Sequence, residues 1–290
     1  MKSSKIVLFL YASLMVAACR GSIVPDVNLD GYTMLEAEME TIAIDDAGAP
    51  YSAVWNSGDC IGIYGSIQGK NTKYVMRRED VTNPRAHFYG PLVKGSLLAY
   101  YPYKEGLESE NGCIPVELSP VQKYDPNLSA EEFFLQYNST MAAVSDEGRL
   151  CFRYPFGIVA VRFLFRTPMD ISSISISSDR GLAGRLLMDA GLQIVTPDNA
   201  FKTISLDFSG GIYSSADSEG YRDFFFVLPP AVYPDNALRL ELLSGEETLQ
   251  MNLKGFTVER VSRGQFDVTA LTITPDEIPG FELTDGYLEF

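Results

Sequence analysis

Residues 158–165 read Ile158-Val159-Ala160-Val161-Arg162-Phe163-Leu164-Phe165, and every position except Arg162 is apolar. An unbroken apolar run of this length is typical of a strand buried on both faces, as in the centre of a β-sandwich. The stretch from Ile171 to Ser177 ends in alternating Ile and Ser, which indicates a strand with one buried face. Together these two patterns favour a sandwich of β-sheets.

Short runs of the same kind recur along the whole chain. They are separated by Gly, Pro, Asn and Asp, which is typical of antiparallel strands joined by turns. A helix is expected from Ser129 to Gln136, with Ser129 as its cap; Met34 to Met39 alone would also suit a helix. Strands are predicted at residues 33–44, 61–64, 73–76, 87–89, 97–101, 114–118, 150–152, 158–165, 171–177, 184–188, 202–208, 224–228, 238–243, 249–253 and 266–273. The sequence therefore predicts an all-β fold.

The length of the chain suits two domains better than one. It has 290 residues, is 46% hydrophobic and contains 17 Phe and 16 Tyr, which is enough for two packed cores. The best boundary is the stretch from Ala143 to Gly148. We therefore predict an N-terminal β-sandwich domain over residues 19–148, a C-terminal one over 149–273 and a tail over 274–290.

The first eighteen residues have the layout of a secretory signal peptide. Lys2 and Lys5 precede an apolar run from Ile6 to Met15, which is too short to span a bilayer. Val16-Ala17-Ala18-Cys19 then resembles the bacterial lipobox, which implies cleavage before Cys19 and acylation of its thiol. The alternative is an ordinary signal peptide with a cysteine nearby by chance. The lipobox predicts an exported protein held on a membrane by lipid.

The chain is acidic, with 23 Lys and Arg against 38 Asp and Glu and a net charge of −15. Residues 1–18 carry two lysines and no acid, so the mature chain is more acidic still. A charge of this sign repels nucleic acid and anionic lipid head groups. Nucleic acid is therefore not expected as a partner.

Motifs for catalysis or metal binding are missing from the sequence. His87 is the single histidine and has no nucleophile elbow around it. Zinc needs clustered His and Cys, and calcium needs closely spaced acids, whereas Asp45-Asp46 and Asp276-Glu277 are only adjacent pairs. We predict no catalytic residue, no metal and no cofactor, and hence no enzyme. A carboxylate pair for glycoside hydrolysis stays open, because a sequence does not show carboxylate separation.

Three cysteines remain after Cys19, namely Cys60, Cys113 and Cys151. An odd number in a chain of this length does not indicate a disulfide framework. One disulfide among them stays open, and three buried free thiols are the favoured interpretation.

Several motifs follow one another in a fixed order along nearly the whole mature chain. They are Trp55 to Tyr64 with the pattern Trp-x-x-Gly-Asp-x-Ile-Gly, Phe88 to Pro91, Ala99 to Tyr103, Ile114 to Leu118 with Gln122, Leu150 to Phe165, Phe224 to Pro230, and Val261 to Phe266. In their order and spacing these motifs resemble the fimbrillin family of Bacteroidetes, the subunits and accessory proteins of type V pili.

The resemblance implies two tandem transthyretin-like β-sandwich domains and a place on the outer membrane or cell surface. It also implies assembly with other pilus subunits by donor-strand exchange. In such assembly a trypsin-like protease removes a first strand, and a strand from a neighbour replaces it. Pairing of this kind satisfies an open sheet edge and an exposed groove.

This sequence departs from that pattern near its start. Arg20 follows Cys19 directly, and the next basic residue is Lys70, so a trypsin-like protease has no site from Gly21 to Gly69. We therefore expect the first strand to stay, which fits an anchor, tip or accessory subunit, or a surface binding protein, better than a stalk subunit. The tail over 274–290 is either a donor strand for a neighbour, or it packs on its own domain or hangs free.

Aromatic residues in the motifs have structural and binding interpretations. Trp55 is expected in the core, brought back over the following strand by a hairpin at Gly58-Asp59. Tyr100 is expected to be buried and Tyr101 to point outwards. Tyr101 and Tyr103 are candidate ligand-binding residues, because an exposed tyrosine can stack on a sugar ring. The alternative function is therefore a glycan-binding surface lipoprotein on the same scaffold.

Overall fold

The computed structural model describes residues 32–42, 51–67, 69–138, 140–145, 149–165, 170–208, 213–214, 220–245, 247–260 and 268–273. Within these residues the chain forms 24 strands, one α-helix, α1 (Ala130–Tyr137), and one 3₁₀ turn (Arg78–Asp80). The strands are β1 (Tyr32–Met39), β2 (Thr41–Ile42), β3 (Tyr51–Ser52), β4 (Cys60–Gly65), β5 (Thr72–Met76), β6 (Arg85–Pro91), β7 (Leu97–Tyr101), β8 (Ile114–Leu118), β9 (Val121–Tyr124), β10 (Met141–Ser145), β11 (Arg149–Phe152), β12 (Gly157–Phe165), β13 (Asp170–Ile171), β14 (Ser173–Ser178), β15 (Gly184–Met188), β16 (Ile194–Val195), β17 (Thr203–Phe208), β18 (Tyr213–Ser214), β19 (Gly220–Leu228), β20 (Ala231–Tyr233), β21 (Leu238–Ser244), β22 (Glu247–Asn252), β23 (Phe256–Val258) and β24 (Val268–Ile273). The predicted all-β fold is confirmed.

The largest sheet of the described residues has seven strands in the order β10-β7-β4-β5-β6-β1-β11. Its two edge strands meet at a bridge between Ala142 and Arg153. There the Ala142 N–H donates to the Arg153 carbonyl at 2.9 Å, and the Arg153 N–H donates back at 2.7 Å. The bridge joins the two edges, so the sheet curls around its own apolar face.

The second half of the chain is built on β12, whose described neighbours are β19 on one side and β24 on the other. Ile158, Val159 and Val161 are fully buried, as expected of a strand covered on both faces. A further sheet has the order β22-β21-β14-β17-β9 among the described residues. In β14, Ile174 and Ile176 are buried while the serines on either side of each are half-buried, which confirms the alternating interpretation.

Two strands that precede the predicted boundary at residue 148 pair with strands that follow it. β8 is antiparallel to β15, and β9 is parallel to β17. The buried apolar side chains of both halves also form one cluster. The division into domains at residues 19–148 and 149–273 stays a prediction.

The expected helix is confirmed, with its cap. The Ser129 side chain accepts a hydrogen bond from the Glu132 N–H, and the Glu132 carboxylate accepts one from the Ser129 N–H. This reciprocal capping box satisfies two of the amide groups that a helix start leaves without intrahelical partners. Met34 to Met39, for which a helix was the alternative, lies within β1.

Candidate functional site: the first strand and its attachments

The first described strand, β1, is paired along both edges. It is antiparallel to β6 over the seven residue pairs from Tyr32–Pro91 to Glu38–Arg85, and parallel to β11 over the four pairs from Glu36–Arg149 to Met39–Phe152. Leu35, Ala37 and Met39 point into the core and are buried. β1 is therefore an interior strand of its sheet.

The outer face of β1 is apolar at its start and charged at its end. Tyr32 and Met34 are 50% and 54% exposed, and their cross-strand partners on β6 are Pro91 and Tyr89. We call these four residues the apolar patch. Leu92, which is 57% exposed, follows the patch directly.

Two acids and two arginines form an ion-pair network at the other end of this face. The Arg149 guanidinium lies 2.8 Å from the Glu38 carboxylate and 3.5 Å from that of Glu36. The Arg85 guanidinium lies 3.2 Å from Glu38 and 3.5 Å from Glu36. The hydrogen bond from Arg149 lowers the pKa of Glu38 below its usual value. The network therefore balances the charge of this end of the face.

Glu40, directly after β1, makes a buried ion pair with Arg260 from the second half of the chain. The Arg260 Nη1 atom lies 3.0 Å from Glu40 Oε2, and the two side chains are 19% and 5% exposed. The Tyr154 N–H also donates to Glu40 Oε2 at 3.2 Å. Burial raises the pKa of the Glu40 carboxyl, and the positive charge of Arg260 opposes that shift. The pair lines a cavity of about 320 Å³ that Cys151 and Arg153 also border.

Gln122 makes a second attachment between the halves, without charge. Its side chain is fully buried, its Nε2 donates to the Val227 carbonyl at 3.0 Å, and its Oε1 accepts from the Val227 N–H at 2.9 Å. The side-chain amide thus bonds the edge of β19 as a peptide group of a neighbouring strand would. These two hydrogen bonds give a structural reason for the glutamine at position 122, which is part of the motif series.

Two glycines of the motif series lie beneath tyrosine rings. A Cβ atom on Gly62 would overlap the ring of Tyr100, and a Cβ on Gly90 would overlap that of Tyr74. Gly62 and Tyr100 are register partners on β4 and β7. A tyrosine laid across a neighbouring glycine covers backbone that the glycine leaves bare. The glycines are therefore packing requirements.

Trp55 is fully buried, as expected, and its ring makes edge contacts with Phe88, Tyr101 and Phe152 at centroid distances of 4.7, 5.2 and 5.6 Å. Gly58-Asp59 forms a turn, in which the Asp59 N–H donates to the Asn56 carbonyl and Gly58 has a φ of 91°, but among the described strands it does not join the predicted hairpin. This turn leads into β4, whose described partners are β5 and β7.

The structure brings Tyr101 and Tyr103 to one end of β7. Tyr100 is buried, as expected, whereas Tyr101 is half-buried against Trp55 and its hydroxyl donates to Asp59 Oδ1 at 3.0 Å. Tyr103 is half-buried, with the Lys73 ammonium 5.4 Å from its ring centroid. Their role in ligand binding stays a prediction.

The three described cysteines and the single histidine differ in how far they are buried. Cys60, Cys113 and Cys151 form no disulfide with one another, but the expectation that all three are buried is wrong. Cys151 is exposed because Leu150 and Phe152 on either side face the core, and Cys113 is half-buried. His87 is half-buried and its Nδ1 lies 2.9 Å from Asp80 Oδ2.

Several expectations concern residues outside those described. These are the signal peptide at 1–18, Cys19, the stretch 20–31, the Asp45-Asp46 pair, the motif from Val261 to Phe266 and the tail over 274–290. In the described part of the chain, no helix is long and apolar enough to cross a bilayer. The same part contains no group of three or more His, Cys, Asp or Glu placed to hold a metal.

Three solved structures are similar to this chain at low sequence identity. A candidate cell adhesion protein from Bacteroides ovatus has 14% identity and a TM-score of 0.44 over 79% of this chain and 89% of its own. A candidate cell adhesion protein from Bacteroides thetaiotaomicron has 12% identity and a TM-score of 0.35 over 88% and 98%. The tip fimbrial protein Mfa3 from Porphyromonas gingivalis, with a C-terminal truncation, has 9% identity and a TM-score of 0.39 over 77% and 81%.

No protein-family model matches the chain, and no curated protein matches it. The three structures are consistent with the fimbrillin-like resemblance of the motifs. With identities of 14% or less and TM-scores of 0.44 or less, the similarity does not extend to function.

Proposed function

We propose that this chain is a fimbrillin-like lipoprotein of the cell surface, with a structural or adhesive role and no enzymatic activity. Within a pilus it serves as an anchor, tip or accessory subunit that keeps its first strand. The signal sequence and the lipobox at Cys19 support export and anchoring. The series of motifs from Trp55 onwards supports the family.

The attachment of β1 is the observation that carries the proposal. Both edges of β1 are paired, three of its side chains are in the core, and Glu40 ties its end to Arg260. A strand with these contacts cannot leave without opening the seven-stranded sheet. The segment from Gly21 to Gly69 contains no Lys or Arg. A trypsin-like protease therefore has no site there at which to cut the chain and release β1.

Lipid anchoring is tested by fatty-acid labelling of cells that produce the wild type or Cys19→Ser. We expect the label on the wild type only, and we expect Cys19→Ser to leave the cell surface. Labelling of both proteins, or of neither, would contradict acylation at Cys19.

Assembly by strand donation is tested at the tail. β24 is at the edge of its three-stranded sheet among the described residues, and the chain continues from it into residues 274–290. We expect deletion of residues 274–290 to abolish assembly with other subunits while the shortened protein keeps its thermal unfolding midpoint. Normal assembly of the deletion variant would remove the tail from the mechanism.

The glycan-binding alternative rests on Tyr101 and Tyr103, whose half-buried rings lie at the end of β7. Saturable binding on a glycan array that is lost in Tyr103→Ala would favour it. Because Tyr101 packs on Trp55, Tyr103 is the cleaner position to change.

A further inference from the structure

We propose that the apolar patch at the start of β1 rests on the lipid surface to which Cys19 tethers the chain. The inference deepens the proposed function and rests on it for the tether. It assigns a role to Tyr32 and Met34, which lie outside both the core and the motif series, and to the outward faces of their partners Tyr89 and Pro91.

The patch is contiguous because of the strand register. Tyr32 lies directly opposite Pro91, and Met34 lies directly opposite Tyr89. Side chains of such pairs are neighbours on one face of a sheet. Val75 on β5, opposite Tyr89, extends the row and is half-buried. A contiguous apolar group with a polar border marks an interaction surface, whereas single exposed apolar residues do not.

The position of the tether argues for lipid as the occupant. Tyr32 is thirteen residues after Cys19, so even a fully extended tether keeps it within about 45 Å of the acylated residue. Tyr32 is the first residue of β1, so the patch is the part of β1 nearest to Cys19 along the chain.

The chemistry of the face suits an uncharged or zwitterionic lipid surface. Tyrosine is enriched where apolar and wet regions meet, because its ring is apolar and its hydroxyl is polar. The acids Glu36 and Glu38 farther along β1 are balanced by Arg85 and Arg149. This face therefore lacks the excess negative charge of the chain as a whole, which would be repelled by anionic lipid.

The test uses residues 20–290 with an N-terminal hexahistidine tag in place of Cys19. The tag is bound to phosphatidylcholine vesicles that contain a small fraction of nickel-chelating lipid, which reproduces the tether without acylation. We expect Tyr32→Ser/Met34→Ser to lower the apparent vesicle affinity roughly tenfold, because two half-exposed apolar side chains no longer leave water. The matched control is Val232→Ser on β20, which removes an apolar side chain that is 71% exposed and lies outside the patch. We expect its vesicle affinity to stay within about twofold of wild type.

Thermal unfolding of each variant checks that the fold is intact. If the double variant does not fold, Leu92→Ser, which lies beyond the end of β6, takes its place with a smaller expected loss. Equal vesicle affinities of wild type and variant would overturn the proposal. So would a wild-type dimer in solution that the variant disperses, because the patch would then be covered by a second copy of the chain.

The fatty-acid labelling described above separates this inference from the proposed function. If the wild type carries no fatty acid, the lipid anchor fails whatever the vesicles show. If it is labelled and the vesicle affinities are equal, the anchor stands and the role of the patch fails.

Discussion

The two attachments between the halves of this chain, Gln122 to Val227 and Arg260 to Glu40, work by different physics. Gln122 is neutral and fully buried, and it satisfies both polar groups of one residue in β19. The Glu40–Arg260 pair borders a cavity, and its acid has a raised pKa because burial disfavours its charge. The neutral attachment holds the halves together independently of pH, whereas the charged one fixes the end of β1 and depends on pH.

The largest effect is expected from Gln122→Leu. This change leaves the Val227 N–H and carbonyl without partners in the core, and each such group costs about 1–3 kcal/mol. We expect the free energy of unfolding to fall by about 2–5 kcal/mol, measured by denaturant titration. The control is Gln136→Leu on the exposed side of α1, which should change it by less than about 0.5 kcal/mol. Similar losses in both variants would mean that Gln122 does not join the halves.

The next effect is expected from Arg260→Leu, which leaves Glu40 buried without its cation. Breaking a buried pair at one side costs several kcal/mol, and partial exposure reduces this to about 2–4 kcal/mol. The variant Glu40→Gln/Arg260→Leu should recover part of that loss, because no unpaired charge remains. If the two single losses simply add in the double variant, the residues are not coupled.

A change of pH is expected to have a smaller effect on the free energy of unfolding. The effect has opposite signs at Glu38 and Glu40. The pKa of Glu38 is below its usual 4.5 in the folded chain, so its ion pairs stabilise the fold above pH 4.5 and this stability is lost as the pH falls. The pKa of Glu40 is above 4.5, so stability falls as the pH rises from 4.5 through the raised value.

These opposite signs are measured by unfolding of Glu38→Gln and Glu40→Gln across a pH series. Relative to wild type, Glu38→Gln should be less stable at neutral pH and equal to it in acid. The relative stability of Glu40→Gln should improve as the pH rises. If the free energies of unfolding of both variants changed with pH in the same direction relative to wild type, the opposite pKa shifts of Glu38 and Glu40 would be contradicted.

The smallest effect is expected from Arg149→Ala in the exposed network on the outer face. Exposed ion pairs contribute little to stability, and salt screens them. We expect a loss much smaller than that of Arg260→Leu, shrinking further at high salt, in the same denaturant titration. A loss as large as that of Arg260→Leu would place this network among the attachments that hold β1.

Local patterns in the sequence predict much of this fold. The strands at residues 97–101, 114–118 and 184–188 begin and end where the patterns place them, because turn residues flank them closely. The capping box of α1 is also a local pattern, because Ser129 and Glu132 are three residues apart. β9 was missed because Val121-Gln122-Lys123-Tyr124 alternates too briefly to predict a strand without its partner β17.

The contacts that define the candidate site join residues far apart in the chain, so no local sequence pattern predicts them. Glu40 and Arg260 are 220 residues apart, and nothing local marks either as buried. The partner of Gln122 is 105 residues away in the chain. The exposure of Cys151 follows only once the register of β11 against β1 is known.

The retention of β1 is tested most directly by the mass of the mature protein on cells, with and without a trypsin-like surface protease. We expect one mass, corresponding to a chain that begins at acylated Cys19, and we expect the protease to leave it unchanged. A mature N-terminus within residues 21–55 would mean that the first strand is removed, and it would contradict the anchor, tip or accessory role proposed for this chain.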